Sequence, residues 1–483
     1  MQSNMSNGNN IRCQFIDQAG HLLEGSEEIC LPQDAGPKEL QQIIHSFLNE
    51  ERLPYTFFIS NKELHVELGT YLQQNKVSME KILQIIYQPQ ALFRICPITR
   101  CSAVIAGHEE AVLCVAFSPD GQQLATGSGD TTVRLWDLQT QTPMYRCTGH
   151  KNWILCIAWS PDGEHLVSGS KAGELQAWDP RTGNPSGKPF IGHRKWITGI
   201  CWEPMHIKFP CRRFVSSSKD GDARVWDIYL RRCVLCLSGH TLAVTCVKWG
   251  GNGRIYTGSQ DCTIKVWETQ HGGLIHVLKG HGHWVNSLAL STEYILRTGA
   301  FDPLSKPLSS SAKMKIAMDK YEQMTDRLSE RLVSGSDDFS MLLWELSDCE
   351  DPECKHRYCH SPKARMTGHQ QLVNHVCFSP DGQWVASASF DKSVKLWNGL
   401  TGEYVAVFRG HVGPVYQICW SADGRYLLSA SKDSTLKLWD MQTHKLKRDL
   451  PGHLDEVYAV DWSPNGEKAA SGGKDRALRL WMG

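Results

Sequence analysis

Eight Gly-His dipeptides in this sequence could supply the histidines of proton-transfer sites. Each histidine is followed by a serine or threonine and, in seven cases, by an aspartate four residues after that hydroxyl. Aspartate, histidine and a hydroxyl group within hydrogen-bond reach are the parts of a hydrolytic triad. Hydrolysis needs one such site, so eight repetitions favour a structural role over a catalytic one. The histidines are His108, His150, His193, His240, His281, His369, His411 and His453.

A tryptophan completes each set, ten residues after the hydroxyl. We expect a buried relay in which the aspartate orients the histidine, the histidine meets the hydroxyl, and the hydroxyl meets the indole N–H. Each relay would hold a loop against a tight turn. In the second set Ala172 replaces the aspartate, so we expect a looser turn there. The first and seventh sets are His108, Thr126, Asp130 and Trp136, and His411, Ser429, Asp433 and Trp439.

The spacing of these sets indicates the elements that position them. Most of the histidines stand 41 to 47 residues apart, and between them alternating apolar strands are separated by turns such as "SPDG". This pattern resembles the WD40 repeat, which implies an all-β, eight-bladed WD40 β-propeller with four strands per blade. The last repeat has only three strands, so residues 101–106, "CSAVIA", are expected to supply the fourth and close the ring.

Insertions interrupt the repeat in three places. One, at about 298–330 in the fifth unit, has an Ala-, Met-, Lys- and Glu-rich core that indicates either a helix or a partly ordered segment. A smaller one lies near "HIKFPCRR" in the third unit, and a long inter-blade loop spans about 347–365. That loop contains cysteines and histidines, which are residue types that bind zinc. Their spacing matches no zinc-finger pattern, so an ordinary surface loop is the favoured interpretation. The candidate zinc ligands are Cys349, Cys354, Cys359 and His360, and His356 lies between them in the sequence.

The N-terminal region lacks the repeated Gly-His and tryptophan pattern and is predicted to be a separate domain. We divide the chain into a disordered tail at 1–10, this domain at 11–95, a linker and closing strand at 96–106, and the propeller at 107–483. The domain's pattern predicts two strands, a helix from about Pro37 to Asn49, and two more strands joined by a short polar bridge. That order resembles a small α+β ubiquitin-like (β-grasp) domain. The helical stripe is Leu40, Ile43, Ile44, Phe47 and Leu48.

The composition of the chain argues against several classes of function. The 51 Lys and Arg balance 51 Asp and Glu, so no overall field attracts the chain to nucleic acid or membrane. Without an apolar run of membrane-spanning length or a secretory signal, we expect a nuclear or cytosolic protein whose 18 cysteines are free thiols. Because no nucleotide-binding loop or zinc-hydrolase motif occurs, we expect neither an enzyme nor a cofactor of its own.

The domain order and the run "RICPITRCSAVIAGH" together resemble the Notchless family. The resemblance implies a nuclear and nucleolar factor in assembly of the large (60S) ribosomal subunit, with the propeller docked on the pre-60S particle. It also implies that the metal-ion-dependent adhesion site of midasin, an AAA ATPase, binds the ubiquitin-like domain. A family glutamate before the last strand completes the shell of the Mg²⁺ that this partner holds, since Mg²⁺ accepts six oxygen ligands. Here that position is Glu80, and Glu67 is the competing one.

Three tryptophans mark a candidate partner-binding face of the propeller. Trp153, Trp196 and Trp284 stand three residues after a repeat histidine, where a first strand begins. Large aromatics on such a face are common interface anchors, and packing against their own blade is the alternative. Two other functions stay open: a scaffold in Notch-pathway signalling that binds the Notch receptor, and a substrate receptor of a cullin-type ubiquitin ligase, indicated by "WDPR" at Trp178–Arg181.

Overall fold

The computed structural model divides the chain into two units, residues 1–94 and residues 95–483. The structure describes residues 11–16, 22–23, 29–48, 55–59, 62–64, 67–75, 82–89, 95, 97–301, 310–325, 329–345 and 361–483. The predicted tail at 1–10, Glu80 and the cysteines and histidines at 349–360 lie outside the described residues. Among the helices within these ranges, none is long and apolar enough to cross a membrane.

The described residues of the N-terminal unit form one mixed five-stranded sheet and two helices. Its elements are β1 (Ile11–Ile16), β2 (Ile29–Leu31), α1 (Pro37–Leu48), β3 (Tyr55–Ile59), β4 (Lys62–Glu63), α2 (Leu68–Asn75) and β5 (Leu83–Pro89). The strands lie in the order β2-β1-β5-β3-β4, with β1 and β5 parallel and the other pairs antiparallel. The first and last strands of the unit are therefore neighbours at the sheet centre. A small α+β domain is observed, and its likeness to ubiquitin stays a prediction.

Helix α1 packs on the sheet through part of its predicted stripe. Leu40 and Ile44 are fully buried in one cluster with Phe15 and Phe57. Phe47 is 38% exposed, so its assignment to the buried stripe was wrong. Phe47 does not belong to that cluster.

The predicted polar bridge was also wrong, because this segment contains β4 and the helix α2. Leu68, Tyr71 and Leu72 are buried at the spacing of one helical face. The Tyr71 hydroxyl donates to the carbonyl of Ile59 at 2.7 Å, and the Leu68 N–H donates to the carbonyl of Ala35 at 3.0 Å. A helix of eight residues gives too short a periodic pattern to be read from the sequence.

Eight antiparallel sheets form the second unit, and we number them as blades one to eight in chain order. Blade one is β7 (Val112–Phe117), β8 (Gln123–Ser128), β9 (Val133–Asp137) and β10 (Thr142–Cys147). Blade two is β11 (Ile154–Trp159), β12 (Leu166–Ser170) and β13 (Leu175–Trp178). Blade three is β14 (Ile197–Trp202), β15 (Arg213–Ser218), β16 (Asp222–Asp227) and β17 (Arg232–Ser238). Blade four is β18 (Val244–Trp249), β19 (Arg254–Ser259), β20 (Thr263–Glu268) and β21 (Leu274–Lys279).

The second half of the ring repeats this order. Blade five is β22 (Val285–Leu290), β23 (Arg331–Ser336), β24 (Met341–Glu345) and β25 (Ala364–Met366), with helices α3 (Glu293–Thr298) and α4 (Ser310–Thr325) inserted after β22. Blade six is β26 (Val373–Phe378), β27 (Trp384–Ser389), β28 (Ser393–Asn398) and β29 (Tyr404–Arg409). Blade seven is β30 (Val415–Trp420), β31 (Tyr426–Ser431), β32 (Leu436–Asp440) and β33 (Lys445–Leu450). Blade eight is β34 (Val457–Trp462), β35 (Lys468–Gly473), β36 (Ala477–Met482) and β6 (Arg100–Ala106).

The blades close into a ring, the arrangement that surrounds a central channel in β-propellers. The first strand of each blade contacts the first strand of the next, and β34 of blade eight contacts β7 of blade one. Strand β6 pairs with β36, so the start of the second unit supplies the outer strand of its last sheet, with Ile105 opposite Leu478. This pairing covers a sheet edge that would otherwise be open.

Blade two has three strands where four were predicted. The segment that follows β13 touches it only through isolated bridges, Leu175 with Phe190 and Trp178 with Pro185. Three prolines in this segment, "DPRTGNPSGKPF", remove backbone donors that a regular ladder would need. The outer edge of blade two is therefore irregular.

The insertion in blade five begins earlier than the predicted bounds of about 298–330, because α3 precedes them, and α4 lies within them. Arg297 of α3 is hydrogen-bonded to Asp461 at the end of β34, and the Tyr294 hydroxyl lies 3.4 Å from the carbonyl of Pro464. Blades five and eight are not neighbours, so α3 reaches across the end of the channel that lies away from the Gly-His loops. Helix α4 covers the smaller insertion of blade three, where its Tyr321 ring stacks on His206 with 4.3 Å between ring centres.

Candidate functional site

The predicted relay is present in blade one. His108 Nδ1 lies 2.8 Å from Asp130, and its Nε2 lies 2.8 Å from the hydroxyl of Thr126. The Trp136 indole N–H donates to the same hydroxyl at 2.9 Å. With a neutral imidazole, one proton arrangement satisfies every group: the indole donates to the hydroxyl, the hydroxyl donates to Nε2, and Nδ1–H donates to the carboxylate.

The same relay occurs in seven blades. Histidine Nδ1 lies 2.7 to 2.9 Å from a carboxylate oxygen of the turn aspartate in each. In blade seven, His411 lies 2.7 Å from the Ser429 hydroxyl and 2.9 Å from Asp433, and the Trp439 indole donates to Ser429 at 2.8 Å. The regular geometry follows from the fixed spacing of hydroxyl, aspartate and tryptophan along two adjacent strands.

The surroundings of these aspartates are those of structural groups. Besides His108, Asp130 accepts hydrogen bonds from the backbone N–H of Glu109 at 3.1 Å, and from the N–H and hydroxyl of Thr132 at 2.9 and 2.7 Å. Burial alone would raise the pKa of Asp130, but these donors hold it well below its usual range. The Thr126 hydroxyl is fully buried, so no substrate could reach it.

Blade two retains three members of the relay without a carboxylate. His150 Nε2 lies 2.6 Å from the Ser168 hydroxyl, and the Trp178 indole donates to Ser168 at 2.7 Å. Burial lowers the pKa of His150 to about 4, since no carboxylate offsets the loss of water. The turn keeps a bond from the Ala172 N–H to the Ser170 hydroxyl at 3.2 Å. The predicted looseness of this turn stays a prediction.

The three predicted tryptophans all present part of their indole to solvent. Trp153, Trp196 and Trp284 are 44%, 39% and 42% exposed. The carbonyl of each accepts the N–H of the residue just before the turn aspartate position: Lys171, Lys219 and Asp337, at 2.8 to 2.9 Å. The three therefore share one register on the face formed by the Gly-His loops, which we call the histidine face.

The surroundings of the three tryptophans differ. Lys171 and Lys219 place their ammonium groups over the rings of Trp153 and Trp196. Trp284 instead lies beside His283, at 5.3 Å between ring centres, and its register partner is the acidic Asp337. The structure thus brings two of the predicted residues together and leaves the third apart. Lys171 and Lys219 were not predicted as site residues, because their proximity to the tryptophans depends on the register between two strands. Alignment of the repeats would have revealed that register.

Two of the predicted sites cannot be placed in this way. Glu80 and the zinc candidates Cys349, Cys354, Cys359 and His360 lie outside the described residues. Glu67, the competing position, is exposed directly before α2. The part of the chain that the structure describes contains no group of three or more metal-ligating side chains, and all of its cysteines are free thiols.

The "WDPR" segment lies in a turn of blade two. Arg181 is hydrogen-bonded to both carboxylate oxygens of Glu164 at 2.7 and 2.8 Å, and its backbone N–H donates to Asp179 at 2.9 Å. These contacts give the segment a structural role in the turn, and the ubiquitin-ligase interpretation stays a prediction.

Comparison with protein families identifies both units. The model described as "WD domain, G-beta repeat" matches residues 99–137, 141–179, 184–227, 231–268, 360–398, 402–440 and 444–482. The model "NLE (NUC135) domain" matches residues 11–72. The crystal structure of the computationally designed Ika8 protein is similar over 80% of this chain and 100% of its own, with a TM-score of 0.60 and 24% identity, which supports the fold alone.

Several relatives extend over most of the chain. "Notchless protein homolog" of Arabidopsis thaliana is 64% identical and covers 83% of each chain. "Protein Notchless" of Drosophila melanogaster is 47% identical over 77% of this chain and 75% of its own. "Ribosome assembly protein 4" of Saccharomyces cerevisiae is 45% identical over 82% of this chain and 79% of its own. With an NLE domain followed by WD repeats and these identities along both, the chain belongs to the Notchless family.

Proposed function

We propose that this chain is a non-enzymatic adaptor in assembly of the large (60S) ribosomal subunit, acting in the nucleus and nucleolus. The observation that carries the proposal is the 45% identity over 82% of the chain to a yeast relative named Ribosome assembly protein 4. An adaptor role agrees with the eight relays, because their hydroxyls are buried and seven of their histidines are engaged by carboxylates. Any ATP hydrolysis belongs to a partner.

The propeller docks on the pre-60S particle through its histidine face. Trp153 and Trp196 give this face exposed aromatic surface, and Lys171 and Lys219 give it positive charge. Exposed aromatic side chains are frequent interface anchors. The opposite face is covered in part by α3 and α4, whose side chains are engaged with several blades.

The N-terminal domain provides the binding site for a midasin-type AAA ATPase. Glu80 stands three residues before β5, which is the central strand of the sheet. In this proposal Glu80 completes the oxygen shell of the Mg²⁺ held by the partner's adhesion site, so the chain needs no metal of its own.

Sedimentation of the endogenous protein tests the proposal. A tagged chain should co-migrate with 60S precursors in a nuclear extract and should leave those fractions when the precursors are depleted by blocking ribosomal RNA synthesis. A protein found only in slow fractions under both conditions would contradict a role in assembly.

A second candidate function is a scaffold in Notch-pathway signalling, favoured by the 47% identity to a relative named Protein Notchless. Under this alternative the histidine face would bind the intracellular tail of the receptor. Slow-sedimenting complexes that contain the tail, with none of the chain on 60S precursors, would favour it over assembly.

A further inference from the structure

An alternating row of aromatic and cationic side chains crosses blades two and three on the histidine face. The Lys171 ammonium lies 4.1 Å from the ring centre of Trp153 and 4.6 Å from that of Trp196. The Lys219 ammonium lies 3.9 Å from the Trp196 ring centre. We call these four residues the tryptophan–lysine row. Its members come from neighbouring blades, so the propeller itself sets their spacing.

The two blades are in close contact where the row crosses between them. A Cβ atom added at Gly173 would meet the backbone oxygens of His193 and Lys195 at 2.8 Å. The turn of blade two that carries Lys171 therefore lies directly against the Gly-His loop of blade three. This contact lets one lysine side chain reach the indoles of both blades, and it fixes the two rings relative to each other.

The row lies in a cationic part of the surface. The same loops hold three further exposed cations, of which Lys151 pairs with Glu174, so Arg194 and Lys195 add to the charge of Lys171 and Lys219. Glu174 lies 3.6 Å from Lys151, Asp222 lies 3.8 Å from Arg224, and Asp220 belongs to the relay of blade three. The exposed cations are Lys151, Arg194 and Lys195. An anionic partner is therefore favoured here, although the chain as a whole carries no net charge.

No aromatic side chain occupies the equivalent positions in the neighbouring blades. The positions equivalent to Trp153 and Lys171 hold Ala111 and Gly129 in blade one, and Ala243 and Gln260 in blade four, paired by the same backbone hydrogen bond. The row is thus limited to two indoles with no bulky aromatic beside them, a footprint that suits a short segment of a ligand.

We propose that the tryptophan–lysine row binds single-stranded RNA, with unpaired bases stacked on the indoles of Trp153 and Trp196 and phosphates held by Lys171 and Lys219. Exposed aromatic rings within a cationic surface are the features by which proteins bind single strands, because every base offers a flat face and every nucleotide a negative charge. The choice of RNA over DNA rests on the proposed function in ribosome assembly.

Other anionic ligands fit the row less well. An acidic peptide would use the lysines but has no flat groups for two indoles. A duplex hides the faces of its bases and presents chiefly phosphates. A cationic ligand would be repelled by the ammonium groups of Lys171 and Lys219. The combination of rings and charge therefore favours an unpaired nucleic acid strand.

Fluorescence anisotropy with a labelled mixed-sequence 12-nucleotide RNA tests the proposal on the full chain. Trp153→Ala and Trp196→Ala should each weaken binding about tenfold, since stacking on an aromatic contributes strongly per base. Lys219→Gln should reduce the slope of log affinity against log salt by about 0.7, the value for one phosphate contact on a single strand. Trp284→Ala is the matched control: it removes an equally exposed indole at the same register position beside Asp337, and binding should be unchanged.

The possible outcomes separate this proposal from its alternatives. Equal affinity for the single strand and its duplex, or wild-type binding by both tryptophan variants with unchanged melting, would overturn it. Displacement of the RNA by polyglutamate with the same dependence on Trp153 would assign the row to acidic peptides instead. Absence of RNA binding by the wild-type chain with retained 60S co-sedimentation would overturn this inference alone, whereas RNA binding without co-sedimentation would overturn the proposed function.

Discussion

Arg297 in α3 and Asp461 in β34 form an ion pair that joins blade five to blade eight across the central channel. The Arg297 Nη1 donates to one Asp461 oxygen at 2.9 Å, and Nη2 donates to the other. The same carboxylate accepts the backbone N–H of Phe117 in blade one at 2.9 Å. One mostly buried carboxylate thus connects three blades.

Arg297→Ala should lower the free energy of unfolding by about 1 to 3 kcal/mol, because a bidentate, charge-assisted contact to a mostly buried carboxylate is lost. Urea denaturation followed by tryptophan fluorescence measures the change. Lys447→Ala is the control, since its pair with Asp440 spans 3.7 Å and is half exposed, and it should change stability by about 0 to 1 kcal/mol. Equal effects of the two substitutions would show that α3 does not link the blades energetically.

Ala172→Asp should stabilise blade two by restoring the missing carboxylate beside His150. The gain expected for one charge-assisted hydrogen bond is about 1 to 2 kcal/mol. Thermal melting at pH 7 measures it, and Ala172→Asn serves as an uncharged control of the same shape. No gain from the aspartate over the asparagine would mean that the turn of blade two cannot bring a carboxylate to the histidine.

The same substitution should change the acid sensitivity of the propeller. Burial holds the folded-state pKa of His150 at about 4, below its ordinary value of 6.5, so the unfolded chain binds the proton more readily. Stability associated with His150 is complete above pH 6.5 and is lost as pH falls toward 4, by about 3 kcal/mol at most. With the added carboxylate this loss should shrink, and denaturation curves at pH 7 and pH 4.5 would show it. An unchanged difference between the two pH values would contradict the assignment.

Ser429→Ala should destabilise blade seven by about 2 to 4 kcal/mol, because it leaves the His411 Nε2 and the Trp439 indole N–H buried without their shared partner. Ser238 is exposed at the end of β17, so Ser238→Ala should change stability by less than about 0.5 kcal/mol. Chemical denaturation of both variants measures the two changes in the free energy of unfolding. A neutral Ser429→Ala would show that the relays are not structural.

Replacing Trp153 and Trp196 together with alanine should weaken association with the pre-60S particle while leaving the melting temperature nearly unchanged, because both indoles are about two-fifths exposed. Gradient sedimentation of the double variant beside Trp284→Ala measures the effect. A large drop in melting temperature with normal co-sedimentation would instead support packing of the indoles against their own blades.

Much of the scaffold could be predicted because it repeats. The spacing of His411, Ser429, Asp433 and Trp439 recurs around the ring, and a repeated spacing reports a repeated geometry. Structural features that occur only once could not be predicted in this way. Helix α3 has six residues and packs through contacts with distant blades, so its local pattern carries no signal.

The candidate site was predictable in part. The position of Trp153 and Trp196 followed from the repeat, but the partnership with Lys171 and Lys219 depends on two blades lying side by side. The irregular edge of blade two could have been expected from its prolines, which weaken strand pairing. The assignment of Glu80 over Glu67 came from family resemblance, since a glutamate before a strand has no distinctive pattern.

Metal-dependent binding to the adhesion domain of a midasin-type ATPase tests the central claim most directly. Glu80→Asp keeps the charge but withdraws the carboxylate by one methylene, so it should abolish Mg²⁺-dependent capture of that domain by the full chain. Glu67→Asp, the matched change at the competing position, should bind as the wild type, and a chelator should remove wild-type binding. Wild-type affinity in Glu80→Asp, or capture that a chelator leaves unchanged, would contradict the account.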